Sequence, residues 1–148
     1  MKVDVSTALD CSAAKAWGEV QTSALLLHVI WPLARISTSG LPDLPKQWRQ
    51  GETVQCRLYV FGVIPVGVRD LYFERIDQDA YCIVTRESDP VVRSWNHTIA
   101  ITPSGPHRSI YRDVIDIDAG HLTVLVWAWT NWFYRHRQRR WRALAKTL

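Results

Sequence analysis

Residues 91–134 read VVRSWNHTIAITPSGPHRSIYRDVIDIDAGHLTVLVWAWTNWFY, and the spacing of their apolar side chains changes once. Up to Asp118 the period is two. Trp95, His97, Ile99 and Ile101 fall on one side of residues 91–102, with Asn96, Thr98 and Ala100 on the other. Tyr111, Asp113, Ile115 and Ile117 share a side of residues 107–118 in the same way, and Pro103-Ser104-Gly105-Pro106 reads as the turn between the two strands. After Ala119-Gly120 the period becomes three and four: Leu122, Leu125, Trp129, Trp132 and Phe133, then Trp141, Leu144, Ala145 and Leu148. This predicts a helix of about 27 residues, about 40 Å long. Such a helix cannot bury itself and has to lie across a curved sheet.

Working back toward the N-terminus, residues 2–9 alternate as a strand. Asp10 or Ser12 can cap a helix through Ala13–Val20, and Thr22 or Ser23 a second short helix that Pro32 ends. Residues 37–51, punctuated by Gly40, Pro42, Pro45 and Gly51, read as a long irregular connection after a short strand near Arg35–Ser39. Thr38–Gly51 is a candidate lid. ETVQCRLYVFG (52–62) then leads through VIPVG into VRDLYFERID (68–77), and AYCIVTRE (80–87) ends at a Ser88-Asp89-Pro90 turn. The predicted order is β-α-α, five or six antiparallel strands, and one long helix: an α+β fold.

The chain has 148 residues, so one domain over 1–148 is the expectation. At this size about 69% of the unfolded surface is buried, leaving roughly 7,800 Å² exposed, enough for a core without disulfides or metal. Its +4 charge is local. Residues 135–148 carry six of the 18 Lys and Arg and no acid, which leaves 12 basic against 14 acidic groups elsewhere, a net of −2. Eight tryptophans call for a core or a cavity that accommodates large rings. Cys11, Cys56 and Cys82 give neither a disulfide framework nor zinc spacing. VDVSTALD after Met1-Lys2 alternates rather than forming an apolar signal core, so a reducing, cytoplasmic setting is expected. Ala24–Ile36 and Leu122–Tyr134 are the most apolar stretches, and both are too short to span a bilayer. There is no GxSxG, P-loop, GxGxxG, HExxH or CxxC, and the five histidines do not fall into metal spacing, so neither cofactor nor metal is expected.

The element order, the VIPVG hairpin, SWNHTI (94–99), YRDVIDIDAG (111–120) and FYRHRQRRWRALA (133–145) resemble bacterial members of the START/polyketide-cyclase/pollen-allergen (SRPBCC) superfamily over nearly the whole chain. The resemblance implies a helix-grip fold, with a curved antiparallel sheet wrapped around the C-terminal helix. It also implies a cavity for an apolar or amphipathic ligand such as a lipid, sterol or polyketide. Some members use that cavity for catalysis and many only bind.

Within this frame the candidate ligand-binding residues are Arg69, Leu71, Phe73, Trp95, His97, Tyr111, Asp113, Trp129 and Trp132. With a hairpin of suitable length, His97 lies opposite or diagonal to Asp113 and Trp95 near Ile115. A buried His–Asp pair fixes the imidazole tautomer and raises its basicity, as a general base requires. The same pair also serves simply to satisfy two buried polar groups, which is the more common case. Arg69 shares a face with Leu71 and Phe73, and either snorkels at the rim or enters the cavity to pair with Asp113, Glu87 or an acidic ligand; Arg86, near a turn, reads as rim.

The primary expectation is a small-molecule binder. The alternatives are a cyclase or dehydratase with His97 as base, Asp113 as orienter and Arg69 or Tyr111 stabilising an oxyanion, or a module that meets an anionic membrane surface through Arg135, Arg139 and Arg142. Nucleic acid is disfavoured because the body is net acidic. The basic end reads first as a solvated helix terminus.

Overall fold

The computed structural model describes residues 1–148. Seven strands form one antiparallel sheet: β1 (Lys2–Leu9), β2 (Ala34–Ser37), β3 (Thr53–Val60), β4 (Ile64–Asp77), β5 (Cys82–Ser88), β6 (Ser94–Gly105) and β7 (Arg108–Asp118). Their spatial order is β1-β7-β6-β5-β4-β3-β2. Two short helices, α1 (Ala13–Val20) and α2 (Ser23–Ile30), follow β1, and α3 (Thr123–Ala145) closes the chain after a single 3-10 turn at Gly120–Leu122. This is the helix-grip architecture, with 7863 Å² of surface exposed.

The caps lie where the sequence places them. Ser12 accepts from the Lys15 amide and Thr22 from the Leu25 amide, each satisfying a donor that the first helical turn leaves free. The strand alternation holds as well. Trp95, His97, Ile99 and Ile101 are buried, as are Tyr111, Asp113, Ile115 and Ile117. In the β6–β7 register His97 pairs with Ile115 and Ile99 with Asp113, so His97 and Asp113 are diagonal neighbours.

Two hairpins differ from the reading by turn residues. VIPVG is not a connection: the chain reverses at Phe61–Val63, and residues 64–67 already belong to β4. Pro65 fits there because β4 pairs only with β3 at that point; its pairing with β5 begins at Asp70. Gly67 has φ +117° beside a register shift, and a Cβ there would lie 2.8 Å from Pro90 Cγ, so a glycine lets β4 bend past the β5–β6 turn. Likewise β6 runs through Pro103 to Gly105, with the reversal at Pro106-His107.

The largest correction concerns α3. It has 23 residues, and its buried face is Thr130, Phe133, Tyr134, Gln138, Trp141 and Ala145. Leu122, Leu125 and Trp132, assigned to the packing face by their apolar spacing, are 48%, 68% and 47% exposed. The true face includes two polar residues, Thr130 and Gln138, whose hydrogen bonds are made inside the fold: Thr130 to the Val126 carbonyl and Gln138 to Val5 O and Asp113. A hydrophobicity pattern counts both as outward and so rotates the predicted face.

Trp141 is almost fully buried, with its ring edge-on to Tyr111, whereas Trp132 rests on the surface against Phe61. Trp141→Ala should destabilise the fold by about 3–5 kcal/mol and Trp132→Ala by less than about 1 kcal/mol, measured by urea denaturation.

Candidate functional site

The helix does not fill the concave side of the sheet. Between α3 and β3–β6 lies a cavity of about 410 Å³, closed at one end by α2 and Trp48, and 26 of its 32 lining residues are hydrophobic. Leu125 and Val91 line it and are also exposed, at 68% and 39%. The mouth therefore lies between the start of α3 and the β5–β6 turn. Trp48 stacks on Phe73 (centroids 4.8 Å apart), and its amide bonds to Gln21 O, with Ser23 N bonded to Lys46 O alongside. The distal half of the Thr38–Gly51 loop is thus a fixed cavity wall rather than a free lid.

Arg69, Leu71, Phe73, Trp95, His97, Tyr111 and Trp129 all line this cavity. Two of the nine candidates do not. Asp113 lies behind the lining at 0% exposure, and Trp132 sits outside against Phe61 because α3 is rotated from the face predicted for it.

A chain of buried polar groups crosses the cavity floor from β4 to α3. The Arg69 guanidinium donates through Nε to Glu87 Oε2 at 2.9 Å and through Nη1 to Asp89, and lies 4.6 Å over the Trp95 ring. Glu87 Oε1 accepts from Thr85 Oγ1 at 2.7 Å and lies 3.9 Å from His97 Nδ1. His97 Nε2 is 2.8 Å from Asp113 Oδ1, which also accepts from Tyr111 Oη at 3.1 Å, while Asp113 Oδ2 accepts from Gln138 Nε2 at 3.1 Å. An ionised carboxylate only accepts, so His97 Nε2 carries a hydrogen, and the other ring nitrogen, Nδ1, lies 3.5 Å from Tyr134 Oη. Both ring nitrogens therefore face protein groups.

The charges follow from this pairing. Burial pushes the Asp113 and Glu87 carboxyls upward. The His97 hydrogen bond and charge for Asp113, and the Arg69 charge for Glu87, outweigh it and hold both below their ordinary values. Burial opposes the charge on Arg69, but Glu87 and Asp89 more than restore it. Burial raises the Tyr111 hydroxyl well above its ordinary value and pushes the Cys56 thiol up to about 11, so Cys56 stays a neutral, unreactive thiol at neutral pH.

The reading from sequence named Glu87 only as one acid that Arg69 could meet, and did not place Asp89, Arg137 or Gln138 in the site. Glu87 was legible as the next inward position after Ile83 and Thr85, and Asp89 only as a turn residue. Arg137 had been merged into the basic C-terminus, although it stands four residues from both Phe133 and Trp141 and lines the cavity with them. Arg135, Arg139 and Arg142 do lie apart. With Val5, Ser6 and Gln138 they form a shallow groove beside β1, where Arg142 donates to Thr7 Oγ1 at 2.9 Å. Arg86 is at the rim, paired with Glu74 at 3.2 Å. No helix is long and apolar enough to cross a membrane.

Proteins of known structure share this fold. A START superfamily protein from Mycobacterium smegmatis is 16% identical, with a TM-score of 0.68 over 99% of this chain and 97% of that one. An aromatase/cyclase from a Streptomyces species is 13% identical, with a TM-score of 0.66 over 99% and 93%. A norcoclaurine synthase from Thalictrum flavum, solved with a transition-state analogue, is 12% identical, with a TM-score of 0.68 over 99% and 94%. The fold is that of START-like, SRPBCC-type proteins. By sequence, the profile of a domain of unknown function, DUF8410, matches residues 7–145, and the chain belongs to that family. No protein of curated function matches it.

Arg69→Met strands two buried carboxylates and should cost about 3–5 kcal/mol in chemical denaturation. Because Asp113 and Glu87 are held below their ordinary values of 3.8 and 4.5, their contribution is complete above those values and is lost as pH falls through the depressed ones. A thermal-melt series from pH 7 downward should be nearly flat with respect to these two groups until about pH 5 and then fall. Asp113→Asn should lower the plateau and flatten that acid limb.

Proposed function

We propose that this protein binds an apolar or amphipathic small molecule, lipid- or polyketide-like, in the cavity between the sheet and α3. The observation that carries the reading is the cavity itself: about 410 Å³ of space with an overwhelmingly hydrophobic lining. That volume falls in the range of small-molecule sites, and apolar walls gain little from water and much from an apolar occupant. The fold's occurrence in a START superfamily protein, and in a synthase solved with a small molecule, agrees with this reading. Trp95, Phe73, Leu71 and Trp129 would supply contact area, and the polar floor would fix orientation.

A second reading, an enzyme of the cyclase or dehydratase type, is favoured by one observation, the 2.8 Å His97–Asp113 contact on the cavity wall. His97 would remove a proton from the carbon beside a carbonyl and return it to the hydroxyl on the next carbon, which leaves as water as the carbon–carbon double bond forms. The groups first assigned to stabilise an oxyanion are otherwise engaged: Tyr111 donates to Asp113, and Arg69 to Glu87 and Asp89. Binding is therefore the better-supported function. Turnover of a β-hydroxy ketone by the native protein, lost in His97→Gln with the fold intact, would reverse that order.

Leu58 lines the cavity from β3 and is only partly buried, so Leu58→Trp fills space without emptying the core. An environment-sensitive apolar dye should bind the native protein with micromolar affinity or better and be displaced by long-chain lipids. Leu58→Trp should weaken the dye at least tenfold while leaving the denaturation midpoint near native. Equal dye binding by both proteins would place the dye outside the cavity and refute the reading.

A further inference from the structure

One charged group in the cavity has no protein partner. Arg137, half-buried on α3, lines the cavity between Phe133 and Trp141, with its guanidinium 4.5 Å over the Tyr134 ring. No carboxylate oxygen lies within 4.0 Å of it, and it donates no hydrogen bond within the protein. The other charged side chains of the floor are matched, Arg69 by Glu87 and Asp89, and Asp113 by the His97 ring. A cation–π contact favours a guanidinium but leaves its five N–H donors unused.

Trp95, Trp129 and Trp141 line the cavity, but their indole Nε1 atoms are enclosed in the surrounding packing and do not open onto it. The acceptors nearby are already engaged. Glu87 accepts from Arg69 and Thr85, and Asp113 from His97, Tyr111 and Gln138. The one charged group of the cavity without a close ion-pair partner is therefore positive, and its guanidinium donors are unused.

We infer that the ligand is an amphipathic carboxylate, an apolar chain or ring system ending in a carboxylate that Arg137 binds. A carboxylate has only acceptors, matches the guanidinium fork in two parallel hydrogen bonds, and gives Arg137 the close ion-pair partner that it lacks. A neutral alcohol offers the guanidinium a single uncharged acceptor oxygen. The inference rests on the small-molecule reading above and narrows it to a class.

The test compares tetradecanoic acid with 1-tetradecanol at pH 7.5, each by displacement of the apolar dye, below the concentrations at which they aggregate. The native protein should prefer the acid at least tenfold. Arg137→Gln should bring the acid's affinity down to that of the alcohol, and Arg137→Lys, which keeps the charge but not the fork, should retain part of the preference. Equal affinities for acid and alcohol in the native protein would overturn the carboxylate assignment while leaving the small-molecule reading intact. Displacement by neither compound, together with no dye binding, would overturn both. A preference undiminished in Arg137→Gln would assign the carboxylate to another group and refute the role of Arg137.

Discussion

The organisation of this protein depends on where one helix is held. α3 is tied to the β1–β7 side of the sheet: Gln138 reaches the Val5 carbonyl and Asp113, Trp127 bonds to the Lys2 carbonyl, and Trp141 packs on Tyr111. The sheet continues for five more strands beyond β7, curling away from that anchor. A 23-residue helix cannot cover both halves of such a surface, so the concave side facing β3–β5 stays open. The cavity is the geometric remainder of an asymmetric attachment, and α2 with Trp48 closes one end of it.

The polar floor follows from the same constraint. Strands that line an open volume cannot bury every inward side chain against the helix, and this sheet places Arg69, Thr85, Glu87 and His97 at four such positions. Arg69 finds Glu87 across β4 and β5, Thr85 bonds to Glu87 within β5, and His97 finds Asp113 across β6 and β7, which Gln138 joins from α3; the two groups approach at 3.9 Å between Glu87 and His97. Removing Arg69 leaves two buried carboxylates uncompensated. The Arg137 guanidinium, over the Tyr134 ring, stands outside these pairings at the cavity wall.

Much of this was legible in the sequence, for reasons that can be located. The two-residue periods of 94–102 and 108–118 gave the inward faces because each strand has one buried side. The diagonal placement of His97 and Asp113 followed from the hairpin between them. The phase of α3 was not legible, because Thr130 and Gln138 are polar residues whose partners are tertiary. The pairing of Arg69 was legible only in part. Its inward face could be read, but Asp89 becomes its partner only when the β5–β6 turn folds back, while Asp89 Oδ1 accepts from the amides of Val91 and Val92. Arg137 was hidden by composition, as one arginine among five between residues 135 and 142, and only the three-dimensional helix face separates it from the others.

The central claim is that the cavity holds a small molecule, and the most direct measurement is native mass spectrometry of the purified full-length chain, with solvent extraction of the same sample. The account predicts a complex heavier than the bare chain by the mass of one small molecule, lost on acid denaturation and recovered in the apolar extract. A bare-chain mass under gentle ionisation, with a high-resolution structure in which side chains fill the space between α3 and β3–β5, would contradict it.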